Sequence, residues 1–142
     1  IACEFRNFAK SRQLGATVVV ETGFILERDP DTVRGPDVSV ILAERAVALA
    51  GTLGFVTNGP DLAVEVLSPS DRLPPVRRKV AELLAAGSKI VVVVDPLRQV
   101  VYVHRGDGSI QNISPADTLV VEEVLPGFAM PLADLFAKCH EP

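Results

Sequence analysis

Short apolar segments separated by turns rich in Gly and Pro recur along the chain, and their spacing predicts strands interspersed with helices. Two-residue alternation or continuous apolar runs predict strands at residues 17–21, 23–26, 37–41, 62–67, 89–94, 99–104, 109–113 and 118–121. Helical spacing predicts helices at residues 2–13, 43–49 and 75–87, and a closing helix with Pro131 in its first turn. The predicted fold class is therefore α/β, a mixed β-sheet flanked by helices.

The order of these segments also predicts which strands are neighbours. Residues 23–26 are expected to form a hairpin or meander with residues 17–21, and residues 30–35 to be a loop. The strands at 99–104 and 109–113 flank a Gly-containing turn, which predicts a hairpin. The continuous apolar strand at 89–94 is expected at the centre of the sheet, because such a strand needs cover on both faces.

One predicted strand carries an acid among apolar residues. In residues 62–67, Leu62 and Val64 fall on one face, while Ala63, Glu65 and Leu67 fall on the other. Both faces are apolar, so Glu65 is expected to be withdrawn from water. Because a lone buried carboxylate costs several kcal/mol, this strand predicts a cation, a metal ion or hydrogen-bond donors facing Glu65.

Two other segments offer partners for Glu65. Asp37 stands at the start of the strand at 37–41, and if the register is right, a neighbouring strand about 4.8 Å away brings two carboxylates close enough to share an ion. Asp61 is a poorer candidate, because four residues of strand place its Cα roughly 13 Å from that of Glu65. Lys79 lies at the edge of the apolar stripe of the helix at 75–87, from where a lysine can extend its ammonium to an acidic site.

Four blocks of sequence resemble one known family. They read Gly-Pro-Asp-Val-Ser-Val-Ile, Asp-Leu-Ala-Val-Glu-Val-Leu-Ser-Pro-Ser-Asp-Arg, Arg-Arg-Lys-Val-Ala-Glu-Leu-Leu-Ala-Ala-Gly and Val-Val-Val-Asp-Pro. Their order is similar to that of the Uma-two (Uma2) family of putative restriction endonucleases, within the PD-(D/E)XK nuclease superfamily. The resemblance covers roughly residues 23–136, and it implies a restriction-endonuclease-like fold and a metal-dependent endonuclease that hydrolyses DNA.

The resemblance also implies roles for individual residues. Asp37 and Glu65 become the metal-binding acids, and the backbone carbonyl of Val66 is the expected third ligand. The superfamily usually has its lysine two residues after the second acid, where this chain has Leu67, so the resemblance implies that Lys79 supplies the ammonium. The expected ion is Mg²⁺, with Mn²⁺ as a substitute, because the ligands are few and are hard oxygens.

Two further departures from the family pattern concern aromatic residues. Leu83 and Val92 stand where a tyrosine and a tryptophan are expected. Those aromatics resemble packing groups, so their loss bears little on the chemistry. The DNA-binding surface is predicted at Arg72, Arg77 and Arg78, which together with Lys79 form the densest basic cluster of the chain.

Composition limits the remaining possibilities. With 142 residues, of which 48% are hydrophobic, residues 1–142 are expected to form a single nuclease-like domain. The net charge of −4 argues against tight non-specific binding of nucleic acid by the whole surface. No apolar run is long enough for a membrane span, and the isolated Cys3 and Cys139 suit a reducing cytoplasm.

Two expectations concern the ends of the chain and its assembly. The chain lacks an initiator methionine, so an N-terminal segment is expected to be missing, and Glu4 is the nearby candidate for an acid on a first helix. A homodimer is expected, because the hairpin at 100–113 or the last strand can expose a sheet edge.

Two other functions remain open from the sequence. The chain can be a non-catalytic dimeric binding or scaffold module of the same fold, in which Glu65 and Lys79 are a buried salt bridge. It can also be a small-molecule binder that uses the same pocket, although no motif distinguishes that function.

Overall fold

The computed structural model of the chain describes residues 1–28, 30–45 and 56–139. The helices for which both ends are described are α1 (Ala2–Ser11), α2 (Leu73–Ala85) and α3 (Leu132–Cys139). The strands are β1 (Thr17–Val20), β2 (Phe24–Glu27), β3 (Thr32–Arg34), β4 (Val38–Ile41), β5 (Val56–Thr57), β6 (Leu62–Val66), β7 (Ile90–Asp95), β8 (Val100–Arg105), β9 (Ile110–Ile113), β10 (Thr118–Val120) and β11 (Ala129–Pro131). Of the predicted helix at 43–49, residues 43–45 are helical and the rest lies outside the described residues.

The main sheet confirms the predicted fold class. Within the described residues it has six strands in the order β1-β4-β6-β7-β8-β9, and helices lie on its faces. The β6–β7 pair is parallel and the other pairs are antiparallel, so the sheet is mixed. All six residues of β7 are buried, which confirms the central position predicted for this apolar strand. The predicted β8–β9 hairpin is also confirmed.

The predicted pairing of residues 23–26 with residues 17–21 is wrong. β1 pairs with β4, whereas β2 belongs to a separate sheet in the order β3-β2-β5. Glu21 adopts a φ of 50°, and this left-handed residue redirects the chain after β1. The predicted loop at 30–35 is likewise corrected, because it contains β3, whose Val33 pairs with Ile25 of β2.

Two helix boundaries also differ from the prediction. Pro131 is the last residue of β11 and pairs with Thr118, so it precedes α3 and does not lie in the first turn of that helix. A proline fits there because β11 has a partner on one side only in this two-stranded sheet. Helix α1 ends at Ser11, two residues earlier than expected, and Gln13 with a φ of 54° turns the chain away.

The main sheet packs different elements on its two faces. Leu62 and Val64 of β6 face the larger core, which includes Phe5 of α1 and Phe136 of α3. Ala63 faces the opposite way, towards Leu83 of α2. By the alternation of a strand, Glu65 lies on this second face, beneath the helix that carries Lys79. In the described part of the chain, no helix is long and apolar enough to cross a membrane.

Candidate active site

The register of β4 and β6 brings the two predicted metal-binding acids together. Val38 pairs with Val64 and Val40 with Leu62 in an antiparallel ladder. One step beyond the last of these pairs, Asp37 stands opposite Glu65. Directly opposite residues of an antiparallel pair point to the same face with Cβ atoms about 4.5–5.5 Å apart, so both carboxylates project towards α2.

Glu65 is a buried acid with a cationic partner. The residue is 8% exposed, and Lys79 Nζ lies 2.8 Å from its Oε1. Burial raises the pKa of Glu65 above the ordinary value of 4.5; the hydrogen bond and charge of Lys79 lower it, and the charges of Asp37 and Asp71 raise it. The acid is therefore only partly compensated by the ammonium, which is the state in which a further cation would be favourable.

Val66 and Asp37 are joined by a hydrogen bond at the end of the ladder. The backbone N–H of Val66 donates to Asp37 Oδ2 at 2.7 Å. In a strand the N–H and C=O of one residue point to the same edge, so the Val66 carbonyl also points towards the side of Asp37. The register places Pro36 opposite Val66, and a proline has no N–H to donate to that carbonyl. Pro36 thereby keeps a backbone oxygen of β6 free of a ladder bond.

Lys79 reaches the site from the crossover helix between the parallel strands. Leu83, on the next turn of α2, is fully buried against the sheet, and Val80 is 5% exposed, so the helix is anchored by apolar packing. Prolines in the first turn suit the start of α2, because the first N–H groups of a helix have no partner within it. Leu67, which occupies the usual lysine position, instead packs at the edge of the same apolar cluster.

Other acids near or around the site have distinct contacts. Asp61 is buried, accepts a hydrogen bond from the Leu42 N–H at 2.8 Å and lies 3.6 Å from Arg45. Its side-chain contacts are therefore with the segment that follows β4 and not with the Asp37–Glu65 pair. Asp71 accepts a hydrogen bond from the Ser68 N–H at 2.7 Å and is close enough to influence the pKa of Glu65. Glu4 lies on α1, whose buried residues pack on the opposite face of the main sheet from Glu65.

Two of the three arginines of the predicted DNA-binding cluster, Arg77 and Arg78, line different clefts. Arg78 lines an open cleft beside Lys79, together with Gly35. Arg77 lies on the opposite flank of α2, in grooves that also contain His104 and Ile110. Arg72 is the exposed N-cap residue of α2. Arg34, which the sequence prediction did not include, lies with Arg78 in the cleft and contacts Glu82 of α2, with 2.6 Å between its Nε and Glu82 Oε2.

The oxygen atoms at the end of the β4–β6 ladder fit a small hard cation. Val66 takes one oxygen of Asp37 and Lys79 one oxygen of Glu65, so each carboxylate has a second oxygen for another partner. With the Val66 carbonyl these make a short list of oxygen ligands, as Mg²⁺ prefers. A cluster of three or more His, Cys, Asp or Glu side chains arranged for a metal ion is absent from the described residues, so a metal here depends on two carboxylates, backbone and water.

Comparisons with known proteins show the family and the fold of this chain. A family model described as "Putative restriction endonuclease", Uma2, matches residues 1–133. Among solved structures, the chain is similar to the crystal structure of a putative nuclease belonging to DUF820 from Anabaena variabilis, with a TM-score of 0.80 and 22% sequence identity. The similarity covers 96% of this chain and 75% of that chain, and it shows that the two share a fold. No curated protein matches the chain in sequence.

The family match spans the residues on which the sequence resemblance depends. Asp37, Glu65 and Lys79 all lie within the matched region, as does Pro36 at the ladder end. The resemblance inferred from the four sequence blocks is therefore confirmed, and the chain belongs to the Uma2 family of putative restriction endonucleases.

Proposed function

We propose that the protein is a metal-dependent endonuclease of the PD-(D/E)XK type, which hydrolyses phosphodiester bonds of DNA. The single observation that carries the proposal is the convergence of Asp37, Glu65 and Lys79: the ladder places the acids opposite each other, and the Lys79 ammonium lies 2.8 Å from Glu65. The family description supports a nuclease, and the expected cofactor is Mg²⁺, with Mn²⁺ as a substitute.

In this proposal Asp37, Glu65 and the Val66 carbonyl hold the divalent cation. Such a cation supplies Lewis-acid activation of a water and neutralises charge on the scissile phosphate. The Val66 N–H fixes the orientation of Asp37 through its 2.7 Å hydrogen bond. Glu65 is presented from a strand that is buried on both faces, so its position is set by the sheet itself.

Lys79 acts on the phosphate and the attacking water. Its ammonium has three donors, of which the Glu65 carboxylate needs one. The others are suited to hold the water or to stabilise the charge that develops on the phosphate oxygens as the water oxygen bonds to phosphorus. The bond from phosphorus to the leaving oxygen then breaks; the attacking water loses a proton to solvent, and the leaving oxygen takes a proton from solvent. Residues 1–142 are proposed to perform this reaction as a single domain.

A non-catalytic scaffold is the second candidate, because the Glu65–Lys79 contact is also what a structural buried ion pair looks like. The two functions give different results for substitutions. In an endonuclease, Asp37→Ala and Glu65→Ala abolish Mg²⁺-dependent nicking of plasmid DNA, and Glu65→Ala also loses Mn²⁺ binding by calorimetry. Lys79→Ala keeps Mn²⁺ binding but loses most of the rate, because it removes a charge and leaves the ligands.

The control is Asp134→Ala, which removes an exposed carboxylate from α3 and is expected to cleave like the wild type. In a scaffold, the wild type neither binds Mn²⁺ nor nicks DNA, and Lys79→Ala lowers the free energy of unfolding by about 3–5 kcal/mol. That combination of results would replace the nuclease with the scaffold.

A further inference from the structure

A second feature lies next to the candidate active site. An open cleft of about 390 Å³ separates β3 and the segment after it from the first turns of α2. Its lining residues are Val33, Arg34, Gly35, Pro75, Arg78 and Lys79. Three of these are cations and none is an acid. A cleft of this size is large enough for a phosphate group and parts of its neighbours.

Arg34 is held in place at the wall of the cleft. Its Nε donates to Glu82 Oε2 at 2.6 Å, and its Nη1 donates to the Val33 carbonyl at 3.4 Å. A guanidinium has five N–H donors in a rigid plane, so these contacts orient the group and leave further donors for a ligand. Arg34 is therefore a pre-oriented cation, so a ligand that binds it has less side-chain entropy to offset.

Arg78 contributes the uncompensated charge of the cleft. Lys79 and Arg34 are each matched by one carboxylate, Glu65 and Glu82 respectively. Arg78 is exposed, and it has no ion pair with any residue of the described part of the chain. An anion in the cleft would therefore gain a charge partner that the protein itself does not use.

Gly35 leaves the β3 side of the cleft without a side chain at this position. Neither packing nor backbone conformation requires glycine there. A Cβ added to Gly35 would meet only the Thr22 backbone, at 3.7 Å from its carbonyl oxygen, which is an ordinary contact. Gly35 is also not among the described glycines with positive φ. The absence of a side chain at Gly35 lets a ligand come close to the backbone at this point.

We infer that this cleft is a phosphate-binding subsite, in which Arg34 and Arg78 hold a DNA backbone phosphate next to the phosphate at the candidate active site. The inference rests on the proposed DNA substrate. Lys79 connects the two places, because it lines the cleft and also contacts Glu65. A DNA strand that presents one phosphate to Lys79 would place a neighbouring one between the two arginines.

The subsite also decides which flank of α2 faces the DNA. Arg77 lies on the other flank, where the grooves run towards β8 and β9 and contain apolar residues such as Val80 and Ile110. The DNA backbone is thus expected to follow the cleft between β3 and α2 and to leave the Arg77 flank uncovered. This differs from the sequence-based prediction, in which Arg72, Arg77 and Arg78 form a single binding surface.

The experiment measures the affinity for a short duplex DNA by fluorescence anisotropy, with Ca²⁺ in place of Mg²⁺, between about 50 and 200 mM salt. Each lost phosphate contact lowers the slope of log affinity against log salt by about 0.9, so Arg34→Gln and Arg78→Gln should each show this decrease together with weaker binding. Arg77→Gln, which removes the same charge from the same helix, should change the slope by less than half as much. Arg6→Gln on α1, across the sheet, is the unchanged control.

Arg34→Gln also breaks the contact with Glu82, so its melting temperature is measured in parallel. Arg78→Gln breaks no hydrogen bond or ion pair in the described part of the chain and tests the subsite even if Arg34→Gln unfolds. Equal slopes for Arg77→Gln and Arg78→Gln, or no change for Arg78→Gln, would overturn the inference. Wild-type nicking of plasmid in Mg²⁺ is assayed separately, so loss of the subsite and loss of the nuclease function give different results.

Discussion

Glu65 shows how the position of one residue in a sheet sets the free-energy cost of its charge. Its position in a strand with both faces covered raises its pKa, since the charged form is withdrawn from water. The residue type and its apolar neighbours are visible in the sequence, so a buried acid was predictable. The spacing along the strand already favoured Asp37 over Asp61 as its neighbour, but whether Asp37 lies close to Glu65 depended on the register of β4 and β6, which the sequence left open.

The raised pKa of Glu65 makes a prediction about pH. Because the folded-state pKa lies above the ordinary value of 4.5, the stabilising contribution of Glu65 is complete below that pH and is lost as the pH rises through the folded-state pKa. The free energy of unfolding of the wild type, relative to Glu65→Gln, should therefore decrease from pH 4.5 upward in urea titrations at several pH values.

Metal binding should follow the opposite trend, because a cation needs the ionised carboxylate and releases its proton; Mn²⁺ affinity should rise over the same pH range. A wild type that gains stability relative to Glu65→Gln with increasing pH would contradict the raised pKa.

Among the elements, α2 links the core to the candidate active site. Its apolar stripe and first-turn prolines made it predictable, and its observed start at Leu73 lies close to the expected position. The pairing of β2 was not predictable in the same way, because its apolar residues fit equally well in the main sheet or in a second one. The missed β3 and β11 are three residues each, too short for two-residue alternation to distinguish them from loops.

Two leucines of α2 give a matched test of how this helix is anchored. Leu83 is fully buried and Leu73 is 52% exposed. Leu83→Ala should lower the free energy of unfolding by about 2–5 kcal/mol, because it leaves a cavity between α2 and the sheet. Leu73→Ala should lower it by less than about 0.5 kcal/mol in the same urea titration. Similar losses for both variants would mean that α2 is not held through its buried face.

The whole molecule presents two sheet edges, at β1 and β9, in the described main sheet. The mixed sheet followed from the order of the predicted strands and helices, and the central position of β7 followed from its apolar run. Which strands lie at the edges did not, since edge position depends on the complete strand order. At the β9 edge, Ile110 is 59% exposed and shares a groove of about 340 Å³ with Leu73 of α2. An apolar edge beside an apolar groove is a surface that a second copy could cover.

A homodimer through β9 stays a prediction, and it can be tested with one substitution at each edge. Ile110→Lys places a charge on the β9 edge and should convert the dimer to a monomer by light scattering at tens of micromolar protein. Val20→Lys makes the same change at the β1 edge, where Val20 is 52% exposed, and should leave the dimer intact. A wild-type monomer, or loss of the dimer only with Val20→Lys, would rule out the β9 interface.

Pro36 has a consequence for how this fold can be changed. It interrupts the β4–β6 ladder at the position opposite Val66, so the backbone hydrogen bond to the Val66 carbonyl is not made next to the carboxylates. A sequence redesigned only for thermal stability would tend to replace this proline and extend the ladder, because an added backbone pair favours folding. The Val66 carbonyl would then accept a backbone hydrogen bond within the sheet and would not be available to a metal ion. If the proposed nuclease function holds, the unpaired Val66 carbonyl is needed at the candidate metal site, and stability and activity are expected to compete at Pro36.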